Sequence, residues 1–233
     1  MSGRDIVLTA ADGGSFGAYL AAPASGAGAG MVVLQEIFGV NKVMRDLADG
    51  LSSQGYFAIV PDLFWRQEPG IQLTDQTAAE WARAFELYQG FDEDLGIEDA
   101  TAALDHVRAA PGCTGKVGSV GYCLGGKLAY LMATHSDADC SVGYYGVGIE
   151  GALGEAGNIS KPLMLHIAEN DGFVPAEAQA QIKDALGGNP HATIHSYAGV
   201  DHAFARLGGD NFDRAAADLA NGRSAEFFAR HLG

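Results

Sequence analysis

Apolar and polar positions switch along this chain between a period of two or a short unbroken run and a period near 3.6, and the switching marks out strands and helices in turn. The runs "RDIVLTA" and "SFGAYLAA" on either side of the turn "ADGG" predict a hairpin over residues 4–22. The stretch "PASGAGAG" reads as loop, and "MVVLQ" (31–35) is the short apolar run expected of a buried parallel strand. Apolar residues at helical spacing, ended by a glycine, predict a helix in "NKVMRDLADGLSSQG" (41–55), and "YFAIVPD" (56–62) predicts the next strand. From Thr74 to Ala110 a helical pattern broken around Gly90 predicts two helices. Beyond it come the strand "KVGSVGY", the helix "LGGKLAYLMATH", the strands "CSVGYYG" and "PLMLHIA", the helix "PAEAQAQIKDAL" and the strand "ATIHSYA". A long helix from about Phe212 to His231 closes the pattern.

Strands separated by helices predict an α/β fold, a mainly parallel sheet with helices on both faces. No repeat, linker or low-complexity stretch divides the 233 residues, so a single domain over 1–233 is expected. The composition, 48% hydrophobic and 18% charged, is that of a globular enzyme. No apolar run approaches the ~18–20 residues that span a bilayer, so no membrane is expected as partner. The polar, turn-rich start "MSGRDIVLTAADGG" has no basic-then-apolar pattern of an export signal, and a cytoplasmic monomer is expected.

A formal charge of −15, with no Lys/Arg cluster against it, excludes nucleic acid as an expected partner and leaves a small molecule. It also gives weight to any arginine near the chemistry if the substrate is an anion. The three cysteines (Cys113, Cys123 and Cys140) are odd in number and fit no metal-ligand spacing, so neither a disulfide framework nor a zinc site is expected.

Ligands of such sheets bind beyond the C-terminal ends of the strands. Four chemically capable residues fall there: Glu36, Cys123, Asp171 and His202. Cys123 lies in Gly121-Tyr122-Cys123-Leu124-Gly125, a G-x-S-x-G nucleophile elbow with cysteine for serine, between a strand and a helix. Glycines permit the tight turn, and the following helix aims its N-terminal dipole at the thiol. A small buried cysteine in a glycine-rich turn is the competing reading.

The order Cys, Asp, His along the chain is that of nucleophile, acid and base in this elbow type, which favours chemistry. Of seven histidines, His166 and His195 sit inside strand patterns, and His106, His135, His191 and His231 on helix or loop surfaces. Asp201 competes with Asp171 for the His202 ring, but sequence neighbours seldom face one another, which leaves Asp201 an ordinary loop residue.

The blocks "QEIFGVN", "VGYCLGG", "GYYGVG", "NDGFVPA" and "DHAFAR" are similar, in order and spacing, to those of the dienelactone hydrolases (carboxymethylenebutenolidases). These are enzymes of the α/β-hydrolase fold with a cysteine nucleophile. The resemblance implies opening of an unsaturated, carboxylate-bearing lactone (dienelactone to maleylacetate) in the breakdown of halogenated aromatics. It implies Cys123 as nucleophile, His202 as base, Asp171 as its orienting partner, and Glu36 near the thiol. The backbone N–H groups of Leu124 and Ile37 would form the oxyanion hole. No cofactor and no metal are implied.

A free thiol is only a few per cent ionised at pH 7, so the site needs the base that His202 supplies. For Glu36, a strand-end carboxylate hydrogen-bonded into the neighbouring loop is the alternative to a part in the thiol's ionisation. A turn of helix would put Arg206 on the same side as His202, and the resemblance makes it a binder of the substrate carboxylate. Where the family has a second arginine this chain has Trp81, with Arg83 two residues on and pointing elsewhere. Phe38, Phe85, Tyr88, Tyr145, Phe173 and Phe204 are candidates for the pocket wall or for plain core. Two alternatives stand beside the lactonase: a carboxylesterase or thioesterase for small uncharged acyl compounds, and a non-catalytic binding protein, which turnover of any activated ester would eliminate.

Overall fold

The computed structural model describes residues 3–233. The strands run in the order β1-β2-β4-β3-β5-β6-β7-β8, and the chain groups into two compact units, Met1–Gly118 and Ser119–Gly233.

In the first unit β1 (Arg4–Thr9) and β2 (Ser15–Ala21) form the antiparallel hairpin, closed by Ala10 N–H donating to the Gly14 carbonyl at 2.8 Å. β3 (Gly28–Leu34) and β4 (Phe57–Pro61) pair in parallel, Val32 opposite Ile59, and β4 pairs antiparallel with β2. β3 starts three residues earlier than "MVVLQ" predicts, because the glycines of the expected loop take extended backbone and enter the sheet. Met31, Val32, Val33 and Leu34 are all 0% exposed. Burying such a side chain stabilises by about 1.5–3 kcal/mol, so this strand is held by burial on both faces, as its unbroken apolar run requires.

Three helices belong to this unit, each started by a side chain that accepts from a free backbone N–H. Asn41 caps α1 (Lys42–Ser53), Thr77 caps α2 (Ala78–Gln89) and Asp92 caps α3 (Glu93–Arg108). Gly90 ends α2, which is why the helical pattern breaks there.

β5 (Cys113–Tyr122) carries the chain from the first unit into the second and leads into α4 (Leu124–His135). β6 (Cys140–Tyr144), β7 (Leu163–Ala168) and β8 (Ala192–Tyr197) pair in parallel, with α5 (Ala176–Leu186) between the last two and α6 (Arg214–Leu232) at the end. A 3₁₀ helix, Ile149–Asn158, was not expected: "IEGALGEAGN" is too rich in glycine and small residues to show a helical stripe. The strand ends are thus followed directly by Cys123 after β5 and by the loops holding Asp171 after β7 and His202 after β8. No helix among the described residues is long and apolar enough to cross a membrane.

Candidate active site

Cys123 stands between β5 and α4 with φ 57° and ψ −116°, a conformation that L-residues other than glycine seldom take. Its neighbours leave no other path. A Cβ on Gly121 would lie 1.8 Å from the Gly125 carbonyl oxygen, and one on Gly126 would lie 2.4 Å from that of Tyr144. The turn is pinned from β6 and beyond: Cys123 N–H donates to the Tyr144 carbonyl at 3.1 Å, and the Cys123 carbonyl accepts from Gly126 at 2.9 Å and Val147 at 3.3 Å. The thiol is half-buried, at the N-terminus of α4, where the first N–H groups have no partner inside the helix. Leu124, the first residue of that helix, is fully buried.

Asp171 and His202 come from loops 31 residues apart and meet in the buried interior. His202 Nδ1 lies 2.9 Å from Asp171 Oδ2 and 3.1 Å from Oδ1. The carboxylate is fixed in turn by the N–H groups of Phe173 (2.9 Å) and Val174 (3.2 Å) on Oδ1. With Nδ1 on the carboxylate, the other ring nitrogen is left for Cys123, to which His202 is also hydrogen-bonded. Burial by itself pushes the ring's pKa down, but the negative charge of Cys123, the hydrogen bonds to Asp171 and Cys123, and the charge of Asp171 together raise it to about 10. The arrangement holds a proton on the histidine beside a sulfur that can carry the charge.

Asp201 faces away from the ring, yet it is more than the ordinary loop residue expected. Its Oδ1 accepts from Gly172 N–H at 3.0 Å and from His202 N–H at 2.6 Å, and so ties the two loops together. Asn211 Nδ2 adds a 2.9 Å bond to the His202 carbonyl. No periodicity or motif singles out either contact, because both serve irregular backbone. Cys123, Tyr145 (φ 38°) and Ala203 (φ 62°) are the non-glycine residues with positive φ among the described residues. All three sit on the Cys123–His202 pair or next to it. Such strain, of order 1–3 kcal/mol each, gathers where function fixes geometry.

The rings of Tyr145 and Phe173 meet the His202 ring edge-on at centroid distances of 5.0 and 4.9 Å. Tyr145 is buried, whereas Phe173 is 47% exposed and forms an outer wall. Phe204 is fully buried against Tyr145 and Tyr197, and belongs to the core. Arg206 is buried too, 7% exposed. The helical turn expected to carry it to the side of His202 is absent: positive φ at Ala203 breaks the spiral, and Arg206 N–H closes a tight turn on the Ala203 carbonyl at 2.9 Å.

In the first unit Glu36 and Ile37 follow β3 and are 3% and 5% exposed. Phe38 is buried, with Trp81 edge-on to it at 5.0 Å and stacked on Phe85 at 5.6 Å. Trp81 Nε1 donates to the Asp75 carbonyl at 2.9 Å, which fixes the indole. Phe85 is 36% exposed and Tyr88 half-buried on the same helix. Arg83 is taken up by Glu68 at 2.6 Å and Glu86 at 2.7 Å. Among the described residues no cluster of His, Cys, Asp and Glu is placed to hold a metal ion.

The chain has known relatives. The profile of the dienelactone hydrolase family matches residues 16–232. A relative from Azospirillum brasilense is 54% identical over 98% of this chain and 99% of its own length. The carboxymethylenebutenolidase of Pseudomonas putida is 42% identical over 96% of this chain and 95% of its own. The dienelactone hydrolase-like promiscuous phosphotriesterase P91 from metagenomic libraries superposes over all of both chains with a TM-score of 0.82 at 22% identity, a likeness of fold. The chain therefore has the α/β-hydrolase fold and belongs to the dienelactone hydrolase family.

Proposed function

We propose that the protein opens a small unsaturated lactone of the dienelactone type through a thioester on Cys123. The observation that carries this reading is the hydrogen-bonded series Cys123–His202–Asp171, with the sulfur on a strained elbow at a helix N-terminus. Relatives named carboxymethylenebutenolidase at 40–42% identity support the lactone as substrate.

In the first step the Cys123 sulfur, its proton held by His202, attacks the lactone carbonyl and forms a C–S bond while the carbonyl oxygen gains the charge. The N–H groups of Leu124 and Ile37 receive that oxyanion. Collapse breaks the ring C–O bond, and the departing oxygen takes the proton from His202. Acylation then has a second effect. It removes the sulfur's negative charge, the main influence raising the His202 pKa, so the ring stays unprotonated and free to take a proton when water must be activated. Water gives its proton to His202 and adds to the thioester. The C–S bond breaks, and the acid is released with the thiolate–imidazolium pair restored. Asp171 keeps Nδ1–H in place throughout, so that the other nitrogen does the transfers.

Glu36 governs how readily the Cys123 thiol gives its proton to His202. Glu36→Gln should slow acylation and move the pH at which iodoacetamide attacks Cys123. Identical alkylation profiles in the two proteins would return Glu36 to a structural role.

One observation favours a second substrate class. Trp81 is held in an aromatic group, and its neighbour Arg83 is neutralised by two carboxylates. Arg206 is then the cation for a substrate carboxylate, and small uncharged esters or thioesters should be excluded less strictly than by two arginines. Steady-state hydrolysis of a carboxylated dienelactone against an aryl acetate tests this: the lactone should have the higher kcat/KM. A kcat/KM for the aryl acetate that equals or exceeds it would replace the lactonase by a carboxylesterase.

A further inference from the structure

The chain carries 14 basic residues against 29 acidic ones, yet one groove in the second unit gathers two arginines and three histidines. It has a volume of about 550 Å³, within the range of small-molecule sites. Arg223, Arg230 and His231 enter it from α6, His191 from the residue before β8 and His195 from the middle of that strand; Glu226 is the carboxylate in its lining. The groove also takes in Pro162 and Met164, at the beginning of β7. Asp171 and His202 follow the opposite ends of β7 and β8, so this is a different place from the Cys123 site.

The helix is arranged to present these groups together. Positions 223, 226, 227, 230 and 231 fall on one face of α6, and the two arginines are separated by two turns, about 10 Å along the axis. Neither Arg223 nor Arg230 has a carboxylate at ion-pair distance among the described residues. Arg223 instead donates to the Tyr197 hydroxyl at 3.2 Å and lies 5.5 Å over that ring. Its charge is felt nearby: burial, and then Arg223, hold the His195 pKa below its ordinary value, which keeps that imidazole neutral. The lining also holds the apolar Phe227 and Met164, with His231 edge-on to Phe227 at 4.6 Å. Uncompensated guanidinium groups beside flat and apolar surface suit an anion with an organic body better than a bare inorganic ion.

We propose that this groove is a second ligand site, which binds a small aromatic carboxylate with its charge on Arg223 and Arg230 and its ring over Phe227 and Met164. The test uses benzoate, with benzamide as the uncharged analogue and inorganic phosphate as the bare anion. Protein alkylated at Cys123 is titrated while the histidine ring resonances are followed by NMR. Benzoate should shift the His191, His195 and His231 signals saturably, leaving His202 in place, and benzamide and phosphate should not. Charge-assisted contacts imply a loss of affinity of about tenfold or more in Arg230→Gln and again in Arg223→Gln. Arg230 makes no side-chain hydrogen bond among the described residues, so Arg230→Gln remains a valid test if loss of the Tyr197 contact unfolds Arg223→Gln. The proposal is overturned by an absence of saturable shifts up to ~10 mM benzoate, by unchanged affinity in Arg230→Gln, or by phosphate producing the same shifts.

Discussion

His202 and His166 lie in the same unit at 6% and 1% exposure, and their proton affinities go opposite ways. Burial pushes both rings toward the neutral form. At His202 the charge interactions and hydrogen bonds of Cys123 and Asp171 outweigh it and carry the pKa to about 10. At His166 burial is joined by the repulsion of His195 and Arg223, and the pKa falls to about 3.

The partners of His166 suit that neutral state. Arg223 donates to the Tyr197 oxygen, so the Tyr197 O–H is free to point at His166 Nδ1, 2.7 Å away. Nε2–H then donates to Ser224 Oγ at 2.9 Å. The Ser224 hydroxyl turns to Tyr144 at 2.7 Å, and Tyr144 donates to Asn221 Oδ1 at 3.0 Å. Every group is satisfied without an ion, and the network rigidifies the core behind β6 and β7. A buried histidine becomes a proton carrier only where charge of the opposite sign is buried with it.

The largest expected effect breaks the His202 side. Cys123→Ala should lower kcat by about 10⁵–10⁶-fold, as loss of a nucleophile that acts as part of a unit does. Ring titration by NMR should also show His202 returning toward the ordinary range in this variant, because the charge of Cys123 is the main influence raising it. Asp171→Asn comes next. It keeps the geometry but favours the wrong tautomer, and should reduce kcat by about 10⁴-fold with little change in KM.

The two histidines should also affect stability in opposite pH ranges. The folded pKa of His166 lies below its unfolded value, so its contribution is complete above pH ~6.5 and disappears as pH falls toward 3, about 5 kcal/mol over the window. The folded pKa of His202 lies above its unfolded value, so its contribution is complete below pH ~6.5 and disappears as pH rises toward 10. Denaturant unfolding across pH should therefore show a shallower acid limb in His166→Gln and a shallower alkaline limb in Cys123→Ala. Acid limbs of equal slope in His166→Gln and the parent would mean that the ring is not held neutral.

The smallest effect concerns the substrate. Arg206→Ala should lower kcat/KM for a carboxylated lactone by about tenfold, the worth of one charge-assisted contact, and leave a neutral ester nearly unchanged. Equal losses on both would make Arg206 structural.

The elbow was legible in the sequence because its determinants are local. Gly121, Cys123 and Gly125 stand within five residues, and the strand and helix around them announce themselves by period. Asp171 and His202 were legible as strand-end residues, and Asp171 rather than Asp201 is the carboxylate bonded to the His202 ring. What Asp201 does instead was not legible, since backbone N–H groups of a distant loop leave no pattern in the chain. The helical turn at Arg206 failed because nothing in "DHAFAR" signals positive φ at an alanine. The His166 network was hidden for a related reason: its members, from β6, β7, β8 and α6, are up to 80 residues apart.

The central claim is that Cys123 carries the acyl group. Acid quenching during steady-state turnover of the lactone, followed by peptide mass mapping, measures this directly. An adduct of one ring-opened acyl group is expected on the peptide containing Cys123, absent when Cys123 is first alkylated. An adduct on another residue, or undiminished turnover by the alkylated protein, would contradict it.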